Sequence, residues 1–225
     1  MNVLTLGPTA SRRTVLFAAG GGGDPERHLP LLESLAADGC RVVAPYFERL
    51  TAPEPSTTEL LARPLGLVEA LDRESAPDAE VTAIGHSIGG WAVLCLAGAV
   101  PRGRDGRPFE VPREPRIGGL VLYTPAAGWF AAPDALEAIT VPMLVFAGEL
   151  DTVTPVEQAI HLTSAPAPVD LRVVPKAGHF SFMHTPPPGI PENVALDRDH
   201  LLTELTRATV AFTATSRRLP DSQNS

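Results

Sequence analysis

The sequence predicts an α/β protein, with a mostly parallel central sheet covered by helices on both faces. Three observations predict it. Short β-branched apolar runs alternate with helical patterns along the whole chain. The runs are apolar at nearly every position, as strands buried on both faces are. A length of 225 residues with 44% hydrophobic content suits one domain with one ample core.

The elements follow in order. "TVLFAAG" (14–20) reads as a strand, and "LPLLESLAADG" (29–39) as a helix stopped by glycine. "CRVVAP" (40–45) is the next strand. Ser56 and Glu59 form a capping-box pair ahead of Leu60, Leu67 and Leu71, a helical face expected to break near Pro64. "EVTAIG" (80–85) reads as a strand and 88–100 as a helix; "IGGLVLYTP" (117–125) and "VPMLVFAG" (141–148) are further strands. Thr154, Pro155 and Glu157 supply cap, first-turn proline and capping box for a helix through His161. "DLRVVP" (170–175) is the last strand, and Leu201, Leu205, Ala208 and Phe212 mark one face of a closing helix. The charged, Pro/Gly-rich stretch 101–116 reads as an exposed loop or short hairpin. The organisation expected is a leading segment 1–13, a domain over 14–212 and a flexible tail over 213–225.

Bulk chemistry excludes several classes. A net charge of −8 leaves no basic footprint for nucleic acid or an anionic membrane surface. No apolar run approaches the roughly 18 residues of a membrane span. Cys40 and Cys95 lie in apolar surroundings without metal-type or redox spacing, and read as buried free thiols. No His/Cys/Asp cluster has metal-ligand spacing, so neither metal nor other cofactor is expected. "SRRTVLFAAGG" (11–21) resembles a twin-arginine export signal. Its apolar part is short and runs into four glycines, so a cytoplasmic setting is expected.

The chemistry concentrates around "GHSIG" (85–89). A strand ends at Ser87 and a helix starts directly after it, the context a nucleophile elbow requires. A serine hydroxyl needs a base to take its proton, and the base needs an orienting acid. Asp151 stands three residues past a predicted strand, with Glu149 as the nearest substitute. His179 stands in the loop after the last strand, with His184 as the near competitor. The order serine, acid, histidine is that of a nucleophile elbow with its partners on later strands. An oxyanion would be met by the N–H of Ile88 and by a second donor in the glycine turn 20–23, where register favours Gly21. His86 points away from the attacking hydroxyl and reads as structural; His28, His161 and His200 read as surface residues.

With "TVLFAAGGGG", "GHSIGG", "AGELDTVTP" and "AGHFSF" spread over nearly the whole chain, the sequence resembles the α/β-hydrolases. Its pattern is similar to the small dienelactone-hydrolase-like branch of esterases and lipases. The resemblance implies triad positions for Ser87, Asp151 and His179, and oxyanion positions for Gly21 and Ile88. Two departures stand out. Many relatives carry His-Gly where this chain has Ala19-Gly20, and of the usual leading antiparallel strands only "VLTL" (3–6) has a counterpart. An exposed sheet edge there makes a homodimer an option.

Gly22, Phe47, Trp129, Phe130, Phe180 and Met183 are candidates for the substrate pocket, some of them equally readable as core. Only a short stretch separates the strands 117–125 and 141–148, too short for a large cap, so an open site roofed at most by the loop 184–196 is expected. The expected activity is hydrolysis of an ester, lactone or thioester of a small acyl compound through an acyl-enzyme. Acyl transfer, a cyclase or lyase role, or ligand binding on the same fold are the alternatives.

Overall fold

The computed structural model describes residues 1–51, 55–103, 105–190 and 194–215. Seven strands form one sheet in the order β1-β3-β2-β4-β5-β6-β7. They are β1 (Val3–Leu6), β2 (Arg13–Ala18), β3 (Arg41–Pro45), β4 (Glu80–His86), β5 (Ile117–Tyr123), β6 (Met143–Gly148) and β7 (Val169–Val174). Only β1 runs antiparallel, pairing with β3; every other neighbouring pair is parallel.

Strand residues alternate between two cores because successive side chains point to opposite faces. Leu16 and Ala18 of β2 join one core, while Val15 and Phe17 join the other. The first core is closed by α2 (Thr57–Glu74), α3 (Ile88–Ala97) and α4 (Val156–His161), the second by α1 (Leu29–Ala37) and α5 (Arg198–Thr215). Helix α3 is buried nearly all round, from Gly89 to Leu96, which explains its lack of a polar face.

Several expectations change on contact with the structure. Helix α2 keeps the Ser56–Glu59 capping box but does not break at Pro64. Leu60 before the proline and Leu67, Ala70 and Leu71 after it bury into one core, and that packing carries the helix through the missing hydrogen bond. Helix α3 stops at Ala97, where Gly98 takes a left-handed φ of 115°. Thr154 does not cap α4, whose cap position is Pro155 without a side-chain bond. Helix α5 runs to Thr215, so residues 213–215 of the expected tail are its last turn; 216–225 lie outside the described residues. The stretch 101–116 contains a short antiparallel bridge between Arg102 and Pro108. Cys40 and Cys95 are buried and free.

The glycines flanking Ser87 are required by close approach. A methyl on Gly85 would sit 2.6 Å from the Gly89 backbone, and one on Gly89 would sit 2.0 Å from the Ala18 carbonyl oxygen. Strand β2, strand β4 and the start of α3 therefore meet backbone to backbone, which sets where Ser87 emerges.

Candidate active site

Ser87 sits between β4 and α3 with φ 56° and ψ −122°, a strained conformation for a residue bearing a side chain. The turn is held by the Ser87 N–H donating to the Tyr123 carbonyl (3.0 Å) and by the Ala126 N–H donating to the Ser87 carbonyl (3.0 Å). At the start of α3 the Gly90 and Trp91 N–H groups donate to the Ser87 carbonyl (2.9 and 3.3 Å), and the Ile88 N–H stands ahead of these first bonds of the helix.

The structure brings Ser87, His179 and Asp151 into one hydrogen-bonded line. Ser87 Oγ lies 2.9 Å from His179 Nε2, and His179 Nδ1 lies 2.8 Å from Asp151 Oδ2. A carboxylate can only accept, so Nδ1 carries the ring proton and the Nε2 lone pair receives the serine O–H. Asp151 Oδ1 accepts the N–H groups of Val153 (2.8 Å) and Thr154 (2.9 Å), a turn that locks the carboxylate's orientation. Burial works against the charge of Asp151, but the bond and charge of His179 and the bonds from Thr154 outweigh it and hold the carboxyl below its ordinary value. Glu149 is turned elsewhere, accepting the Lys176 N–H at 3.0 Å.

Thr154 is a participant that sequence reading assigned to a helix cap. Its buried hydroxyl lies 2.9 Å from Asp151 Oδ2, 3.0 Å from the Thr124 carbonyl and 3.1 Å from His179 Nδ1. The signal was the acid followed three residues later by threonine, the pattern of a side-chain-closed turn as well as of a helix start.

The glycine turn stands beside the serine. The Gly23 N–H donates to the Gly20 carbonyl (2.9 Å), and Gly23 takes φ 74° with its carbonyl accepting from the Phe47 N–H (2.9 Å). A methyl on Gly20 would lie 3.4 Å from Ser87 Cβ, whereas one on Gly21 or Gly22 would meet nothing within 4 Å. Gly21 and Gly22 thus form the open tip of the turn.

The pocket candidates separate. Phe130 is fully buried, and its carbonyl accepts the His161 Nε2–H at 2.8 Å; it is core because the loop after β5 folds inward as a one-turn helix over Gly128–Phe130. Met183 is 6% exposed and likewise interior. Trp129 is half-buried between Trp91 and Phe109, with ring centroids at 6.4 and 5.9 Å. Phe47 is half-buried with its ring 5.1 Å from the Arg63 guanidinium. Phe180 stands edge-on to His179 and lines a cleft of about 310 Å³ together with Leu150, Val153, Ser181, Ile190 and Leu196. Leu150 and Val153 are largely exposed, giving the cleft an apolar lip. The expected roof 184–196 contributes Pro186, Ile190 and Leu196 to this cleft; its residues 191–193 lie outside the described residues.

Behind the line stand two more histidines. His86 donates from Nε2 to the His179 carbonyl (3.2 Å), leaving its Nδ1 without a partner among the described residues. His28, read from sequence as a surface residue, is fully buried: its short one-turn helix tucks the ring between Phe17, His86 and Tyr123. His161, also read as surface, is half-buried, and His200 is exposed. Burial, then the neighbouring His179, pushes His86 down to about 3; burial, then His86, pushes His28 well below its ordinary value.

Both folded values lie below those of an unfolded chain, so the unfolded chain binds more protons and stability falls as pH drops below about 6.5. For His86 the loss is roughly 2 kcal/mol at pH 5, and His28 adds to it. Urea midpoints measured from pH 7 to 4.5 are expected to fall for the wild type and to fall less steeply for His28→Phe. Equal slopes would locate the acid sensitivity elsewhere.

Among the described residues no group of three or more His, Cys, Asp or Glu side chains is placed to hold a metal ion, and no helix is long and apolar enough to cross a membrane. No protein-family model and no curated protein sequence matches the chain. Among solved structures, the native esterase 2 from the Planctomycetes species Thermogutta terrifontis is similar with a TM-score of 0.66 at 18% identity, covering 99% of this chain and 90% of that one. The same esterase phosphorylated by paraoxon gives 0.64 at 18% identity, covering 93% and 86%. A monoacylglycerol lipase from Paleococcus ferrophilus gives 0.65 at 17% identity, covering 96% and 98%. Sheet order, elbow position and end-to-end likeness to these structures agree: this chain has the α/β-hydrolase fold.

Proposed function

We propose that the chain is a serine hydrolase that cleaves an ester, lactone or thioester of a small neutral acyl compound through an acyl-enzyme. The observation that carries the reading is the hydrogen-bonded line from Ser87 through His179 to Asp151 at a strained strand-to-helix turn. His179 Nε2 takes the Ser87 proton as Oγ bonds the carbonyl carbon. The carbonyl electron pair moves to oxygen, where the N–H groups of Ile88 and Gly21 receive it. His179 then gives its proton to the departing alcohol, thiol or internal oxygen, and the ester bond breaks. Water, deprotonated by His179, attacks the acyl-enzyme and restores Ser87. Asp151 keeps the ring in the required tautomer and stabilises its charged form.

The likeness to an esterase that paraoxon phosphorylates and to a monoacylglycerol lipase supports ester chemistry. The short connection from β5 to β6 supports an open, capless site of the dienelactone-hydrolase-like kind, and the apolar lip at Leu150 and Val153 favours an uncharged substrate. The buried free thiols fit a cytoplasmic setting. Pairing of two copies along the β1 edge is part of the reading, and light scattering tests it.

The decisive test is intact mass after incubation with a fluorophosphonate. One adduct on the wild type, formed as Ser87 Oγ bonds phosphorus and fluoride leaves, and none on Ser87→Ala is expected, followed by turnover of short nitrophenyl esters. Absence of the adduct on the wild type would sink the hydrolase reading in favour of ligand binding.

A further inference from the structure

Arg63 is among the largest fully interior side chains, at 2% exposure, and no carboxylate pairs with it among the described residues. Its Nη1 donates to the Ala19 carbonyl at 3.1 Å and its Nη2 to the Gly21 carbonyl at 3.4 Å. Its Nε is buried without a partner among the described residues, and the guanidinium lies over the Phe47 ring. Burial pushes its pKa down to about 10, so it remains a cation at neutral pH. An interior cation without an anion costs several kcal/mol, and an apolar side chain would fill the same space without that cost. Such a group is retained where its charge or its donors act on something.

What it touches is the glycine turn beside Ser87. In a trans peptide the N–H points opposite to the C=O. With the Ala19 and Gly21 carbonyls turned to the guanidinium, the N–H groups of Gly20 and Gly22 turn away from it. The peptide between them is set as well, because the Gly20 carbonyl accepts the Gly23 N–H at 2.9 Å. That last peptide carries the Gly21 N–H. The Leu50 N–H shares the Gly21 carbonyl at 2.8 Å, but Ala19 has Arg63 as its side-chain donor.

We infer that Arg63 is a positioning residue for oxyanion binding: it fastens the carbonyls of the two peptides on either side of the one that carries the Gly21 N–H, and it holds a positive charge behind the anion formed there. The inference rests on the hydrolase reading. It explains how a turn of four glycines, which has no side chains of its own to hold it, keeps a fixed direction.

The test compares wild type, Arg63→Met and Arg63→Lys by fluorophosphonate labelling rate, by kcat and KM on short nitrophenyl esters, and by thermal midpoint. Loss of an oxyanion donor typically lowers rates by 10²–10³, and loss of its support is expected to lower labelling and kcat of Arg63→Met by about 10- to 100-fold. KM should stay within about threefold, because the interaction strengthens only as charge develops. The thermal midpoint should hold or rise, since an unpaired interior charge is removed. Arg63→Lys, which keeps the charge but reaches one carbonyl, should fall between. A folded Arg63→Met with wild-type labelling and kcat would overturn the inference and leave Arg63 as filler. If Arg63→Met does not fold, Arg63→Lys decides: a slowed rate at unchanged KM supports the clamp, and a wild-type rate overturns it. A wild type that takes no label at all removes the hydrolase reading itself, a result that does not depend on Arg63.

Discussion

Replacing Asp151 with asparagine is expected to lower kcat about 10⁴-fold while leaving the protein folded. The reason lies in which oxygen does what. Asp151 Oδ1 accepts two backbone N–H groups, from Val153 and Thr154, and an amide nitrogen cannot take that place. The asparagine oxygen must therefore stay on the turn, and its NH₂ must occupy the position of Oδ2, facing His179 Nδ1. A donor facing Nδ1 forces the ring proton onto Nε2. The ring then presents N–H, not a lone pair, to Ser87 Oγ. The hydroxyl keeps its proton and the base is lost by tautomer alone, with no change in shape. Steady-state kinetics on a short nitrophenyl ester, with urea unfolding as the control for folding, would check this. A fall of less than about tenfold would mean that Asp151 does not set the ring's tautomer.

The second large effect is on stability. Gly89→Ala is expected to destabilise the fold by about 4 kcal/mol or more, enough to leave little soluble protein. The added methyl would lie 2.0 Å from the Ala18 oxygen, 2.6 Å from the Ala18 carbon and 2.7 Å from the Ala19 oxygen. All three are backbone atoms of the central strand β2 and its continuation, so no side-chain rotation relieves the contact. Helix α3 would have to lift from the sheet, opening the most deeply buried layer of the protein. Gly21→Ala is the contrasting control, because a methyl there meets nothing within 4 Å. Soluble yield and urea midpoints for the two variants measure the difference. A Gly89→Ala protein as stable as wild type would refute the close approach of strand and helix.

These cases also show what was legible in the sequence. The inner strands of this sheet announce themselves because burial on both faces leaves runs such as Val15–Leu16–Phe17 with no polar interruption, whereas the edge strand β7 carries exposed Asp170 and Arg172. Ser87, Asp151 and His179 were legible because each must follow a strand end, and a strand end is a local signal. Three things were not. Pro64 was expected to break a helix that tertiary packing carries through. Thr154 had two local readings, cap or turn closure, and the hydroxyl's partners on β5 and on the histidine loop decided between them. Arg63 and His28 stand on helical patterns that place charged residues outside, and nothing local says that their faces turn toward the sheet. Polar residues inside a protein are chosen by distant partners, which periodicity does not record.

The order of the sheet has a consequence for the making of the protein. Ser87 lies on a central strand, whereas Asp151 and His179 hang from β6 and β7, the last two strands synthesised and the ones at the far edge. Ser87 and His179 are 92 residues apart in the chain. At ordinary rates of translation roughly 5–18 s pass between the emergence of the one and of the other. Through that interval the nascent chain carries Ser87 without the histidine to which its hydroxyl is hydrogen-bonded in the fold. On the proposed function, reactivity toward passing esters would be withheld until the final third of the polypeptide has docked, and the appearance of activity would report that the last edge of the sheet has closed.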